Sequence, residues 1–193
     1  MRSKKTLIIG LAGFPGAGKT TVAKYLVKKG YVHVVLSDFI KDEVRKAGVT
    51  KFTREILQDY GNKMRERFGP QVLAQLAMKK IRVEDARKVV IDGVRNLYEV
   101  AFLNVENNFT LIGVNARPRE RYRRLHERQK YSREGTFKKF LQQERREETL
   151  GSKEIGLRVQ ECLGKADFIV ENNSSLDALY AAVDGVLLLK KGH

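Results

Sequence analysis

Three glycines, one lysine and two threonines lie within nine consecutive residues, GFPGAGKTT, which run from Gly13 to Thr21. The first eight of these residues match the pattern G-x-x-x-x-G-K-[ST] in full. Glycines allow backbone angles that turn successive N–H groups towards one anion. In this pattern the lysine reaches the β- and γ-phosphates of a nucleoside triphosphate, and the hydroxyl that follows binds Mg²⁺. The pattern therefore predicts a phosphate-binding loop.

The sequence on either side of the loop supports this prediction. An apolar run, TLIIGLA, precedes the loop, and an amphipathic helical pattern, TTVAKYLVKK, follows it. The start of that helix adds its dipole and its unpaired N–H groups to the anion site. The residues expected to bind the nucleotide are Gly13, Pro15, Gly16, Ala17, Gly18, Lys19, Thr20 and Thr21.

A magnesium site needs a second protein oxygen besides the threonine hydroxyl. Asp92 ends the apolar run KVVID, at the position where a carboxylate at a strand end would hold the metal directly or through water. Thr20 and Asp92 are therefore the predicted metal ligands. The alternative for Asp92 is a helix cap, because Gly93 follows it.

Five short apolar runs alternate with longer, charged, helix-periodic stretches along the chain. The runs cover residues 6–12, 33–36, 88–92, 110–116 and 166–172. Because they are rich in β-branched residues and do not alternate with polar ones, they are typical of strands buried on both faces. The pattern predicts an α/β fold, a parallel sheet with helices on both sides, in one domain over residues 1–193.

Composition limits the class of protein and of partner. The 193 residues carry a net charge of +15, which favours anionic partners such as nucleotides, phosphorylated metabolites or nucleic acid. Cys162 is the only cysteine, so no internal disulfide can form, and a reducing cytoplasm is expected. No apolar run reaches the ~20 residues of a membrane span, and Pro15 and Lys19 interrupt the one that could imitate a secretory signal.

Two polar segments, residues 38–80 and 117–160, are too long for simple connections between strands. From Asn115 to Glu147 there are twelve lysines and arginines and five glutamates. One interpretation is a solvated helix surface with charge pairs at i, i+4. The other is an arginine-rich lid that closes over phosphates, since the planar guanidinium binds phosphate in a bidentate manner. Arg117, Arg121, Arg124 and Arg128 share one helix face that has no obvious core to pack on.

Switch-type GTPases are disfavoured by absent motifs. The chain has no guanine-reading NKxD and no D-x-x-G. A small phosphotransferase is the interpretation that remains. Such an enzyme works mainly by positioning two polyanions and neutralising their charge, so it needs cations beyond the loop lysine.

These segments resemble the adenylate-kinase and dephospho-CoA-kinase branch of P-loop kinases over nearly the whole chain. GFPGAGKTT, with Pro15, is similar to the loop of nucleoside monophosphate kinases, and GKTTVAKYL also to the start of dephospho-CoA kinases. LSDFIKDEVRKAG is similar to the adenylate-kinase segment after the second strand. VVIDGVRNLYEV, ARPRERYRRLHER and ADFIVENNSS resemble an adenylate-kinase-related group.

The resemblance implies a five-stranded sheet of order 2-3-1-4-5, an acceptor-binding arm near 38–80 and a lid near 117–150. It implies that the acceptor is bound by Asp38, Lys41, Arg65, Arg95 and Arg145, and that Arg124 and Asn172 bind the nucleotide, Asn172 beside the adenine. The implied catalytic residues are Lys19, Asp38, Arg95, Arg124 and Arg128. Lys41 and Gly93-Val94-Arg95 depart from the adenylate-kinase pattern, which has an arginine and G-F-P-R at these places.

The role expected of Asp38 depends on the chemical nature of the acceptor. A nucleoside monophosphate is already an anion and needs no base, whereas the ribose 3′-hydroxyl of dephospho-CoA needs a carboxylate to accept its proton. Asp38 could equally cap the helix FIKDEVRK. The functions under consideration are Mg²⁺-dependent transfer of the ATP γ-phosphate to a nucleoside monophosphate, a dephospho-CoA kinase, and an ATP-gated RNA- or ribosome-associated factor. Nucleic acid is the less favoured partner, since few aromatics accompany the basic residues. We expect a monomer or small homo-oligomer.

Overall fold

The computed structural model describes residues 6–106, 108–127, 136–149 and 156–191. In chain order these residues form β1 (Leu7–Ala12), α1 (Lys19–Lys28), β2 (Val32–Val35), α2 (Leu36–Lys46), α3 (Arg54–Phe68), α4 (Val72–Val83), β3 (Lys88–Val94), α5 (Leu97–Asn104), β4 (Phe109–Asn115), α6 (Pro118–Glu127), α7 (Phe137–Thr149), α8 (Val159–Gly164), β5 (Phe168–Glu171) and α9 (Leu176–Lys191).

The five strands form one parallel sheet in the order β2-β3-β1-β4-β5, so the predicted fold class and strand order are confirmed. Each strand lies within two residues of its predicted bounds. The central strands are apolar on both faces because helices cover both sides of the sheet.

Two clusters of buried side chains give the protein three layers. One cluster joins the sheet to α2, α3, α4, α5 and α8, and the other joins it to α1 and α9. Cys162 of α8 lies in the first cluster and is fully buried, and this burial raises the pKa of its thiol. Among the described residues, no helix combines the length and the apolar character needed to cross a bilayer.

Parallel strands place their carboxyl ends at one edge of the sheet, and this edge carries the candidate site. β1 lies at the centre of the sheet between β3 and β4, so the loop after β1 has both neighbours beside it. Asp92 is inside β3 and pairs in register with Leu11 of β1. The alternative of a helix cap at Asp92 is therefore wrong, because the strand continues past it to Val94.

The described parts of the two long polar segments are largely helical and lie beside this edge. Residues 38–80 contain most of α2, all of α3 and most of α4, with α2 packed against α3. Residues 117–150 contain α6 and α7, which pack against each other. Arg128 lies outside the described residues. The roles of these segments as arm and lid, and the single domain over 1–193, stay predictions.

Candidate nucleotide-binding site

The loop between β1 and α1 has backbone angles that require glycine. Gly13, Gly16 and Gly18 have φ values of 148°, 79° and 112°. A Cβ on Gly13 would lie 2.2 Å from the carbonyl oxygen of Val114, and a Cβ on Gly18 would lie 2.2 Å from Nδ2 of Asn172. The loop is therefore packed tightly against neighbouring elements. The other predicted contacts in this stretch, Pro15, Ala17 and Thr21, lie in the same turn and at the start of α1.

Lys19 is the first residue of α1, and its side chain folds back over the loop. Its Nζ donates hydrogen bonds to the carbonyl oxygens of Gly13 and Phe14, at 2.7 and 3.2 Å. The pKa of Lys19 is lowered to about 7, mainly by burial and next by the guanidinium of Arg95, while Asp92 opposes the shift. The loop thus holds a desolvated amine that an anion would stabilise in its charged form.

The two predicted metal ligands are adjacent. The hydroxyl of Thr20 donates to Oδ2 of Asp92 at 3.3 Å. Burial acts to raise the pKa of Asp92, but His33, Lys19 and Arg95 together outweigh it and hold the pKa below its usual value. A hydroxyl and an ionised carboxylate beside a phosphate-binding loop are the hard oxygen donors that Mg²⁺ prefers, so these residues fit that metal.

His33 is a neighbour of Asp92 that the sequence analysis did not single out. It lies in β2, and its Nε2 is 3.6 Å from Oδ2 of Asp92. This distance is too long for a hydrogen bond, and the buried Nε2 has no hydrogen-bond partner within the described part of the chain. In the register of β2 with β3, His33 pairs with Val90, two residues before Asp92, so the contact with Asp92 is a diagonal one between neighbouring strands.

Two residues predicted to bind the nucleotide, Arg124 and Asn172, contact the loop. Nη2 of Arg124 donates to the carbonyl oxygen of Asn172 at 2.8 Å, and Nη1 lies 3.4 Å from that of Gly16. The amide Nδ2 of Asn172 donates to the carbonyl oxygen of Ala17 at 2.8 Å. α6 and the end of β5 thereby reach the same turn. The position of Asn172 relative to an adenine ring stays a prediction.

Part of the predicted arginine face on α6 is buried. Arg121 is 5% exposed; it pairs with Glu144 of α7, donates to the carbonyl oxygen of Ala116 at 3.0 Å, and lies 4.8 Å from the ring centroid of Phe14. The prediction that this face has nothing to pack on is wrong at Arg121, because α7 supplies both Glu144 and the Phe140 ring.

On the acceptor side, Arg65 and Arg95 are linked through Glu99. Nη2 of Arg65 donates to Oε1 of Glu99 at 3.1 Å, and the backbone N–H of Arg95 donates to Oε2 at 3.0 Å. The Arg65 and Glu99 side chains are 4% and 0% exposed. Nε of Arg65 is buried and has no hydrogen-bond partner in the described ranges. Arg65 is thus linked, through the Glu99 carboxylate, to the backbone of Arg95.

Asp38 and Lys41 form an exposed pair on α2, 2.6 Å apart. The helix begins at Leu36 with Val35 as its N-cap, and it has no side-chain cap. The interpretation of Asp38 as the cap is therefore wrong, because the helix starts two residues before it. Arg145 is exposed on α7, one residue after the buried Glu144.

Arg54 is a further candidate that the sequence analysis missed. It begins α3 after the cap Thr53, and its charge contributes to the lowered pKa of Lys19. It therefore lies near the loop lysine, although it comes from the arm. Its position in the sequence, in a polar stretch without a recognisable motif, gave no signal.

A buried lysine followed by a solvent-accessible threonine at a glycine-rich strand–helix turn, on a parallel sheet of order 2-3-1-4-5, defines a P-loop nucleotide-binding protein of the kinase-like type. Residues 9–151 match a family model described as an AAA domain. The chain is 32% identical to a UPF0200 protein of Pyrococcus furiosus, over 94% of this chain and 96% of the relative. It is 30% identical to a UPF0200 protein of Thermococcus kodakarensis, over 92% of this chain and 94% of the relative. The chain therefore belongs to the AAA domain family and to the UPF0200 family.

Solved structures share the fold. The Thermus thermophilus protein TT1252 aligns over 96% of this chain and 98% of its own, with a TM-score of 0.66 and 22% identity. A shikimate kinase of Acinetobacter baumannii aligns over 98% of this chain and 96% of its own, with a TM-score of 0.59 and 16% identity. A gluconokinase of Sinorhizobium meliloti aligns over 100% of this chain and 97% of its own, with a TM-score of 0.52 and 16% identity. These likenesses establish a P-loop kinase fold, and the narrower adenylate-kinase and dephospho-CoA-kinase branch stays a prediction.

Proposed function

We propose that the protein is a Mg²⁺-dependent kinase that transfers the γ-phosphate of ATP to a nucleoside monophosphate or a similar nucleotide. The observation that carries this proposal is the set of cations around Lys19. Arg95, Arg121 and Arg54 all lower the pKa of Lys19, and they come from the end of β3, from α6 and from the start of α3. Cations from both flanking segments thus lie near one phosphate-binding loop, which supports transfer between two polyanions.

In this proposal the donor side is the loop with Thr20 and Asp92. The loop N–H groups and Lys19 bind the phosphates of ATP, and Lys19 exchanges its carbonyl partners for phosphate oxygens. Thr20 and Asp92 hold Mg²⁺, which neutralises phosphate charge when bound. Arg124 and Asn172, which already contact the loop, bind the nucleotide from the other side.

The acceptor side consists of Arg95, Lys41 and Arg145, with Arg65 acting through Glu99. A phosphate oxygen of the acceptor attacks the γ-phosphorus, a new P–O bond forms, and the bond to the β–γ bridging oxygen breaks, so that ADP leaves. Arg124 and Arg128 neutralise the charge of the transferred group; Arg128 lies outside the described residues. Glu99 fixes the backbone of Arg95, and so Arg65 is a positioning residue.

The arm and the lid would exclude water from the γ-phosphate when both substrates are bound. Exclusion of water limits hydrolysis and strengthens the electrostatic contacts. The lone buried cysteine is compatible with a reducing cytoplasm, where nucleotide substrates are available. We propose this location, and a monomer or small homo-oligomer, together with the activity.

A dephospho-CoA kinase is the second candidate, and the observation that favours it is Asp38. This carboxylate is 55% exposed in the first turn of α2 and is held by Lys41 at 2.6 Å. Because Asp38 does not cap the helix, its exposed carboxylate is available to accept the proton of a ribose hydroxyl.

The experiment is coupled ADP release with Mg-ATP against every ribo- and deoxynucleoside monophosphate, dephospho-CoA, and no acceptor. Lys19→Ala is the blank, and Lys24→Ala, an exposed lysine on the same helix, is the matched control. Turnover that depends on a monophosphate supports the nucleotide kinase, and turnover with dephospho-CoA alone supports the second candidate. Acceptor-independent hydrolysis that RNA stimulates, and that falls steeply with salt, would contradict both and favour an ATP-gated RNA factor.

A further inference from the structure

A cavity of about 450 Å³ lies at the edge of the sheet opposite the phosphate-binding loop. Leu7, Lys88 and Thr110 line it, and they stand at the starts of β1, β3 and β4. Because the strands are parallel, their starts are at the far edge from their carboxyl ends. The cavity is therefore separate from the candidate nucleotide site.

The walls of the cavity are mostly apolar. Its apolar lining comes from Leu7 and Ile9 of β1, from Tyr31, and from residues 186–188 near the end of α9. Binding sites for small molecules have volumes of about 300–1,000 Å³ and are lined mainly by apolar side chains with a few polar groups. This cavity has that size and that lining.

One polar group in the lining is buried without a partner. Thr110 is 1% exposed, and its Oγ1 has no hydrogen-bond partner in the described ranges. Because this oxygen is shielded even from water, Thr110 does not present its hydroxyl to a ligand, and the polar contacts of the cavity come from its charged rim.

Three lysines, Lys29, Lys88 and Lys190, line the cavity together with one carboxylate, Asp184, and give it a positive rim. Lys29 is neutralised by Asp184, at 2.8 Å. Neither Lys88 nor Lys190 forms an ion pair with a carboxylate in the part of the chain that the structure describes; Lys88 instead lies 5.8 Å from the ring centroid of Tyr31. An anionic head group would find two cations beside an apolar pocket.

We propose that this cavity binds a small amphipathic anion, with one carboxylate or sulfonate and an aliphatic or aromatic body. The body packs on Leu7, Ile9 and residues 186–188, and the head group pairs with Lys88 and Lys190. The proposal is independent of the kinase activity, and it implies that the anion and ATP bind at the same time.

The probe is 8-anilinonaphthalene-1-sulfonate, an aromatic anion whose fluorescence rises on leaving water. The full chain has no tryptophan, so tryptophan emission does not interfere. We expect saturable binding of one probe per chain in the presence of saturating Mg-ATP. Decanoate should displace the probe, and decyltrimethylammonium at the same concentration should not.

The double variant Lys88→Glu/Lys190→Glu should weaken probe binding at least tenfold. Lys24→Glu/Lys139→Glu changes the net charge equally at exposed lysines away from the cavity, and it should stay within twofold of the unmodified protein. Val186→Phe, which fills the cavity, should abolish saturable binding. Because a larger buried side chain can also disturb the fold, the charge-reversed pairs provide the independent test.

Three results would overturn the proposal. They are displacement of the probe by Mg-ATP, equal displacement by decanoate and decyltrimethylammonium, and equal effects of the two charge-reversed pairs. The first would place the probe in the nucleotide site, and the others would show that the lysine rim does not select anions.

Discussion

Arg65 and Glu99 form an ion pair that is almost wholly withdrawn from solvent, with side chains 4% and 0% exposed. The second oxygen of Glu99 accepts the backbone N–H of Arg95 at 3.0 Å. Glu99 of α5 therefore links Arg65 of α3 to the backbone that leaves β3. This pair connects α3 to the candidate site, and it gives the first prediction.

Replacing Glu99 with glutamine should destabilise the protein by about 3–5 kcal/mol, because it leaves the Arg65 charge buried without a partner. Denaturant unfolding at neutral pH measures this change. Glu106→Gln is the matched control, since Glu106 pairs with Arg82 at the surface, and its effect should be under about 1 kcal/mol. Equal effects of the two substitutions would contradict a structural role for the buried pair.

The glycine at position 13 should not tolerate even a methyl group. Gly13→Ala places a Cβ 2.2 Å from a backbone oxygen at a φ of 148°, so we expect several-fold weaker ATP binding and a lower melting temperature. Gly185→Ala is the matched substitution, in α9, with no atom within 4 Å of the added Cβ. It should stabilise the helix by about 0.5–1 kcal/mol. Loss of stability in both would mean that the loop geometry is not the cause.

Lys19→Met should abolish ATP binding and yet stabilise the ligand-free protein. The folded pKa of about 7 is below the ordinary value of 10.5, so between these values the unfolded chain binds more protons and the free energy of unfolding rises with pH. Below pH 7 the native protein carries the full cost of the buried charge, and removing it should add on the order of 5 kcal/mol. Unfolding curves from pH 6 to 10 measure both effects. The gain should shrink as pH approaches 10, and a gain that grows with pH would contradict the assignment.

ATP binding should take up protons, because phosphates beside Lys19 return its pKa towards the ordinary value. With a free-protein pKa of about 7, the uptake at pH 7 should be about half a proton per site, with less at pH 6 and nearly one at pH 8. Calorimetric titrations in buffers of different ionisation enthalpy give this number. Lys24→Met, on the exposed side of α1, should leave it unchanged. Uptake that declines from pH 6 to pH 8 would show that another group is responsible.

The sequence was most informative where function is concentrated in neighbouring residues. The loop motif and the apolar run before Asp92 predicted two metal ligands, and the structure places them 3.3 Å apart. The strand order followed from the resemblance to known kinases, since apolar runs alone do not say which strands are neighbours. The β2–β3 register brings His33 to Asp92, although no local motif joins them.

Contacts between distant segments could not be predicted from the sequence. Arg65 and Glu99 are 34 positions apart, and neither sits in a pattern that selects the other. The start of α2 was misplaced because Val35 offers no capping side chain. Burial of Leu36, Ile40 and Val44, one face of the helix, decides that start instead of Asp38.

The buried thiol of Cys162 makes this chain convenient for spectroscopic labelling. The thiolate is the reactive form of cysteine, and this one is fully buried with a pKa above its ordinary value. Maleimide dyes should therefore leave the folded protein unmodified. A pair of cysteines introduced on exposed positions of α3 and α7 would carry the only fluorophores, so the distance between these two helices could be followed as ATP and candidate acceptors are added.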